Sequence, residues 1–209
     1  MEGLEKLKDY KGEGLLSDMI GASTEKKEKA VTPTKKKRRL LFLDLETTGL
    51  KMFKNGILEF AYIIYDEDKQ QIITKGETYV KPASDVQIDY SAMKINKIDL
   101  DEVEKKGITE LEFIDKFLKL IKDYDIKYIV SWGGNFDVNM IRGTFIRNKI
   151  EYPKHLKSYD LKQDFYFYSD TDYYSLSNIT KEFKTKTQPT HRALADVEAT
   201  FELYQILKG

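Results

Sequence analysis

Apolar residues form three short runs in the part of the chain that follows residue 39. Leu40–Leu45 is almost continuously apolar, and Leu58–Tyr65 and Ile72–Val80 come soon after it. Runs of this length, rich in branched and aromatic residues, are typical of β-strands. Because the three runs are neighbours in sequence, they predict a β-meander, with the first run suited to a central strand.

A helical pattern follows the predicted meander. Between Ile108 and Tyr124, apolar residues recur at every third or fourth position, which predicts a helix with one buried face. The remaining predicted elements are a strand at Lys127–Trp132, a helix from about Phe136, a strand at Ser158–Leu161, a short helix near Leu176–Phe183 and a terminal helix from about Arg192 to Leu207. Strands that come first as a meander and then alternate with helices predict an α/β layered domain with a mixed sheet.

The first 38 residues have a different composition from the rest. We interpret residues 1–38 as a disordered basic N-terminal extension and residues 39–209 as the folded domain, because GASTEKKEKAVTPTKKKRRL is small, polar and charged. A short helix around Leu4–Ile20 is compatible with this interpretation. The KKKRR run at residues 35–39 either contacts phosphate backbones or serves as a solubilising charge run before the first strand.

The composition limits the kinds of site that the protein can contain. The formal net charge of zero hides an asymmetry: residues 1–39 hold 11 Lys/Arg against 7 Asp/Glu, and the remaining residues hold 24 against 28. Without a long apolar run or a secretory signal, we expect a cytoplasmic protein. The chain has no cysteine, which excludes disulfides, thiolate zinc sites and cysteine nucleophiles, so any metal must be held by oxygen or imidazole.

Two carboxylates interrupt the first predicted strand, in the sequence LFLDLETTGL. Side chains two residues apart in a strand project from the same face, so Asp44 and Glu46 point one way while Leu43 and Leu45 point the other. Two unpaired carboxylates this close would repel each other, whereas a hard divalent cation removes that cost. The spacing alone is weak, because Asp-x-Asp also occurs elsewhere in the chain. The buried strand before the pair and the Gly turn after it favour a site here.

Two further segments hold candidate site residues. Asp137 follows the predicted strand at Lys127–Trp132 and its Gly-Gly turn, where it is either a site residue or a helix cap. His191 stands at the start of the predicted terminal helix, and Asp196 lies on that helix among small alanine residues that allow close packing on the sheet. The other histidine, His155, has no such neighbours, and we interpret it as a loop or structural residue.

Taken together, these three segments resemble one known constellation. Asp44-x-Glu46 in a first strand, Asn135-Phe136-Asp137 in mid-chain and His191-x4-Asp196 in a final helix resemble the three motifs of the DEDDh (DnaQ-like) 3′–5′ exonuclease family. This family has a ribonuclease-H-like fold and includes the proofreading subunit of bacterial DNA polymerase III and ribonuclease T. The resemblance covers about residues 39–207. It excludes the sibling subgroup that uses tyrosine, because Arg192 stands four residues before Asp196.

The resemblance implies a mechanism and a substrate. Four carboxylates would hold two Mg²⁺ or Mn²⁺ ions, and His191 would take a proton from the attacking water, a role that its ordinary pKa near 6.5 suits. The enzyme would release 5′-nucleoside monophosphates from single-stranded 3′ ends. The resemblance also implies four substrate-binding residues: Thr47, Gly49 and Leu50 around the 3′-terminal nucleotide, with Leu50 beneath its base, and Phe136 as a support for the terminal base. Ordinary core packing remains an alternative for Leu50 and Phe136.

Two other functions remain open from the sequence. The domain could be a catalytically silent binding module, although all five catalytic positions hold competent residues, or a phosphohydrolase that acts on mononucleotides. Within the exonuclease interpretation, the sequence does not decide between DNA and RNA. A polymerase or another nucleic-acid-processing protein is a candidate partner.

Overall fold

The computed structural model describes residues 38–169 and 173–209. The predicted basic extension, apart from its last residue, and the helix at Leu4–Ile20 lie outside these residues. Within them the chain forms one five-stranded sheet. The strands are β1 (Arg39–Thr47), β2 (Ile57–Asp66), β3 (Gln71–Tyr79), β4 (Tyr128–Ser131) and β5 (Lys157–Asp160).

The sheet is mixed, with the strand order β3-β2-β1-β4-β5. β1 pairs antiparallel with β2, and β2 pairs antiparallel with β3, so the predicted meander is confirmed. β4 and β5 then add in parallel on the other side of β1. β1 is therefore central, as its apolar sequence predicts, and the α/β class with a mixed sheet is confirmed.

Seven helices lie among the described residues. They are α1 (Tyr90–Asn96), α2 (Leu100–Lys106), α3 (Glu110–Asp123), α4 (Phe136–Arg147), α5 (Lys162–Phe165), α6 (Leu176–Glu182) and α7 (Ala193–Lys208). The sequence pattern predicts α3, α4, α6 and α7 but misses the other three, because they are short and bury few apolar side chains. α1, for example, buries only Asn96. None of the described helices is long and apolar enough to span a membrane.

The alternating side chains of β1 divide the core into two layers. Leu41, Leu43 and Leu45 pack on one face of the sheet in a cluster that includes residues of α3 and α4. Leu40 and Phe42 pack on the other face with residues of α7. Because Asp44 and Glu46 share the parity of Leu40 and Phe42, their side chains project toward the α7 face.

Gly143 on α4 brings the helix close to the loop that follows β1. A Cβ atom at this position would collide with the carbonyl oxygen of Met52 and would lie 2.8 Å from its Cγ. No other residue type allows this approach of a helix to backbone without a shift of the loop. The contact therefore helps to hold the loop beside the acidic end of β1.

We expect Gly143→Ala to destabilise the domain by roughly 1–3 kcal/mol, because the new methyl group overpacks this contact. The sign of this change is informative, because replacement of Gly by Ala inside a helix normally stabilises the helix by about 1 kcal/mol. Urea denaturation of the variant measures the effect. Ile146→Ala, at an exposed position of the same helix, is the control and should stay within about 0.5 kcal/mol of wild type. A Gly143→Ala protein at least as stable as wild type would contradict the close approach.

Candidate active site

The acidic end of β1 forms the centre of the candidate site. Asp44 and Glu46 are both half-buried, and their side chains share one face of the central strand. Across the antiparallel pair with β2, Glu46 stands directly opposite Glu59. Directly opposed residues share a face of the sheet, so a third carboxylate projects to the same side.

Asp137 reaches the same region from the turn between β4 and α4. Gly133 and Gly134 both have positive φ, 103° and 82°, which allows the chain to turn sharply into the helix. Asp137 lies in the first turn of α4 with only 3% of its surface exposed. The Ser131 hydroxyl and the Leu45 backbone form hydrogen bonds to its carboxylate. These contacts direct Asp137 toward β1, beyond what a helix cap alone requires.

His191 and Asp196 approach from the start of α7. Asp196 is buried, and its Oδ1 accepts a hydrogen bond of 2.9 Å from the backbone N–H of Thr190. His191 is exposed, and its φ of 58° is left-handed. Potential ligand atoms of Glu46, His191 and Asp196 all lie within 4.8 Å of one another. The structure thus brings together the predicted residues of the first and third motifs.

The carboxylates raise one another's pKa values. Burial raises the pKa of Asp44 well above its usual range, and the negative charges of Asp137, Asp196, Glu46 and Glu59 raise it further. Burial, followed by the charge of Asp196, raises the pKa of Glu46 to about 8. Burial also raises the pKa of Asp137, to about 7, and that of Asp196. An all-oxygen cluster that resists ionisation in this way fits hard divalent cations, which stabilise the charged carboxylates.

Three of the predicted substrate-binding residues follow Glu46 directly. Thr47 is buried, and its hydroxyl donates a hydrogen bond of 2.8 Å to the carbonyl oxygen of Gly49. A Cβ atom on Gly49 would collide with the Asp89 carboxylate, so the turn requires glycine. Leu50 is 79% exposed, which removes the alternative that it is ordinary core packing.

The fourth predicted substrate residue and the second histidine have different surroundings. Phe136 is partly buried and packs against the core on the α3–α4 face of the sheet, which favours the packing alternative for this side chain. His155 is exposed and lies in the loop before β5, as the sequence indicates.

The sequence pattern misses four polar residues that support the site. Asn96 donates a hydrogen bond of 3.2 Å to the carbonyl oxygen of Thr47 and also hydrogen-bonds with Glu46, which lowers the pKa of Glu46. Asp160, at the end of β5, accepts a hydrogen bond of 3.0 Å from the backbone of Gly133.

The other two missed residues, Glu59 and Arg192, form an ion pair whose closest atoms lie 2.6 Å apart, with Glu59 buried and Arg192 partly exposed. One signal for Glu59 is visible in the sequence. It is the only charged residue in the apolar run LEFAYIIY.

Comparisons with known proteins agree with this geometry. The PolC-type DNA polymerase III of Caldanaerobacter subterraneus subsp. tengcongensis is 29% identical over 167 residues, which make up 77% of this chain and 11% of that protein. The DNA polymerase III subunit epsilon of Treponema pallidum is 28% identical over 163 residues, 77% of this chain and 72% of that subunit. The chain thus spans about a tenth of the length of its PolC-type relatives.

A solved structure shares the fold. E. coli exonuclease I in complex with a dT13 oligonucleotide superposes with a TM-score of 0.71 and 25% sequence identity, over 81% of this chain and 41% of that chain. The predicted ribonuclease-H-like fold is confirmed by this similarity. Residues 41–204 match the RNase_T family, whose description is Exonuclease. This match covers well over half of the chain and includes all three segments of the candidate site, so the chain belongs to the RNase_T exonuclease family.

Proposed function

We propose that the protein is a divalent-metal-dependent 3′–5′ exonuclease that removes 5′-nucleoside monophosphates from single-stranded 3′ ends of DNA or RNA. The observation that carries this proposal is the convergence of carboxylates from β1, α4 and α7 beside His191. Because the chain belongs to an exonuclease family, we infer that this cluster hydrolyses phosphodiester bonds. Among the similar proteins, exonuclease I binds an oligonucleotide, and the similarity to a PolC-type polymerase and to a polymerase epsilon subunit supports a polymerase as a partner.

The four clustered carboxylates are the residues that would hold the metal. Asp44, Glu46, Asp137 and Asp196 offer only oxygen ligands, which suits two Mg²⁺ or Mn²⁺ ions. When bound, such ions make water a stronger nucleophile and stabilise the charge that develops on the scissile phosphate. The chain's own contribution is to hold these oxygens together.

His191 supplies the proton acceptor. In the proposed reaction, a water oxygen bonds to the phosphorus of the terminal nucleotide while the bond from that phosphorus to the 3′ oxygen of the preceding nucleotide breaks. The departing 3′ oxygen takes a proton from solvent water, so the shortened strand ends in a 3′ hydroxyl. The His191 imidazole takes the proton that the attacking water loses. Its exposed position at the site gives that water access.

The loop after β1 forms the binding surface for the strand. Leu50 and Phe53 are exposed apolar side chains, and Lys51 and Lys54 lie exposed beside them. Apolar and aromatic side chains can pack against bases whatever the sequence, and lysines contact phosphates. Hydrogen bonds hold this loop to the segment before α1, including one of 2.6 Å from Gln87 N to Lys54 O. Apolar side chains beside lysines favour a polynucleotide, which offers several bases and phosphates, over a mononucleotide.

Matched oligonucleotides test the proposal directly. We expect 5′-labelled single strands with a 3′ hydroxyl to shorten from the 3′ end in Mg²⁺, and the same strands with a 3′ phosphate to resist, because the site must receive a free terminal nucleotide. DNA and RNA versions at one fixed salt concentration identify the sugar preference. Cleavage of mononucleotides alone would support the phosphohydrolase alternative, and no turnover of any substrate would support the silent module.

Substitutions at Asp44 and His191 should both remove most turnover but should differ in metal binding. Asp44→Asn removes a charged oxygen ligand, so we expect the Mn²⁺ affinity to fall. His191→Ala should lower the rate by about 10²–10⁴-fold, the range that general bases supply, with Mn²⁺ binding near wild type.

The rate of the His191→Ala variant should partly recover as the pH rises and hydroxide replaces the missing base. Calorimetric titration and rates between about pH 6 and 9 measure both effects. If His191→Ala loses metal binding as severely as Asp44→Asn, His191 is a ligand.

The raised pKa values also predict how stability depends on pH without metal. The native carboxyls of Glu46 and Asp137 keep protons up to about pH 8 and 7, whereas unfolded carboxyls release theirs near pH ~4. The unfolded state therefore binds fewer protons in this interval, and the free energy of unfolding should fall as the pH rises from about 4 to about 8.

Asp44→Asn should accordingly raise the free energy of unfolding of the metal-free protein at pH 8, by about 1 kcal/mol or more. Added Mn²⁺ should stabilise wild type more than this variant. Thermal unfolding with EDTA or Mn²⁺ measures both effects. Asp125→Asn, at an exposed carboxylate outside the cluster, is the matched control and should change little. A metal-free Asp44→Asn protein that is less stable than wild type at pH 8 would contradict the repulsion argument.

A further inference from the structure

We propose that Glu59 and Arg192 form a positioning pair that fixes the backbone on which His191 sits. This inference rests on the proposed function, because it gives the pair a part in the exonuclease reaction. Neither residue belongs to the metal-binding carboxylates or to the proton acceptor. Their effect on the reaction passes through the location of His191.

Three hydrogen bonds tie the start of α7 to Glu59. Arg192 donates from Nη2 to Oε1 at 2.6 Å and from Nε to Oε2 at 3.1 Å. The backbone N–H of Ala193 donates to Oε2 at 3.0 Å. Glu59 is only 1% exposed and lies on β2, inside the sheet. A bidentate guanidinium–carboxylate contact of this kind fixes the orientation of the Arg192 side chain as well as its distance from Glu59.

Arg192 is also held by the next strand. Its Nη2 donates to the Tyr79 hydroxyl at 2.9 Å, and its Cζ lies 5.8 Å from the centre of the Tyr79 ring. The guanidinium therefore contacts β2 and β3 together, which leaves the residue before it little freedom.

That residue is His191, whose backbone is in an unfavourable conformation. Its φ of 58° is left-handed, and non-glycine residues keep such a conformation only where the surroundings enforce it. Thr190 on one side is held by its hydrogen bond to Asp196, and Arg192 and Ala193 on the other side are held by Glu59. Release of Arg192 would free one side of His191 and let the backbone relax away from the cluster.

A second connection between α7 and the sheet provides a control. Lys75 on β3 pairs with Glu198 on α7, with 2.6 Å between the charged atoms. This pair is more exposed and lies about two turns along the helix from His191. If attachment of α7 to the sheet were all that mattered, loss of either ion pair would affect turnover alike.

A double-mutant cycle tests the proposal in the whole 209-residue chain. We expect Arg192→Ala to lower kcat by roughly 10–100-fold, as loss of a supporting partner typically does, with KM within about threefold of wild type. In the His191→Ala background the same change should lower kcat by less than about threefold, because the residue through which it acts is gone. Arg192→Lys keeps the positive charge but cannot form the bidentate contact, so its kcat should lie between those of Arg192→Ala and wild type. Lys75→Ala should leave kcat unchanged.

Equal losses from Arg192→Ala in the wild-type and His191→Ala backgrounds would overturn the proposal, as would an equal loss from Lys75→Ala. Because removal of Arg192 leaves a buried carboxylate unpaired, thermal unfolding of each variant accompanies the kinetics. If Arg192→Ala does not fold, the cycle with Arg192→Lys makes the same comparison.

NMR of the two histidines gives a test that does not depend on activity. In metal-free protein at fixed pH, Arg192→Ala or Arg192→Lys should shift or broaden the imidazole signal of His191 and leave that of His155 unchanged. Lys75→Ala should alter neither signal. An unchanged His191 signal in both Arg192 variants would overturn the proposal. If wild type cleaves no nucleic acid, the proposed function fails, and the NMR result still shows whether the pair positions His191.

Discussion

Repulsion among carboxylates at one end of the sheet is the constraint on which the rest of the structure depends. Asp44, Glu46, Asp137 and Asp196 share one region, and burial together with neighbouring charge disfavours their ionised forms. None of the elements that carry them could hold this arrangement alone. β1 is fixed by a core on each face, α4 by its contact with the loop after β1, and α7 by its attachment to Glu59. The energy of folding therefore keeps together charges that would otherwise separate.

Hydrogen bonds moderate this repulsion at each carboxylate that the helices and turns can reach. Asn96 donates to Glu46, Ser131 to Asp137, and the Thr190 backbone to Asp196, and each of these contacts lowers the pKa of its carboxyl group. The donors act against the effect of burial but do not cancel it. The negative charge of the ionised cluster is thus not fully compensated by the protein, so bound divalent cations would stabilise it strongly.

The sequence predicts those parts of the molecule whose signals are local. The strands β1 to β4 follow from apolar runs, whereas β5 is polar and mostly exposed. The observed ends of all five strands differ from the predicted ones by one or two residues, the usual uncertainty of such boundaries. Asp44 and Glu46 are recognisable as a pair because a carboxylate interrupts an apolar strand. α1 is not predictable in this way, because its one buried residue is polar. The Glu59–Arg192 contact joins residues 133 positions apart, and no periodicity connects such distant positions.

The alternation of side chains along β1 limits how this protein can evolve. Three leucines of the strand fill one core, and the acidic pair occupies the opposite face. Insertion or deletion of a single residue before Asp44 would exchange the two faces, burying carboxylates among the phenylalanines of α3 and exposing leucines at the site. Fold and chemistry would fail together. Divergence among descendants of this chain should therefore appear as substitutions within β1 and as changes of length in loops that lie away from the site.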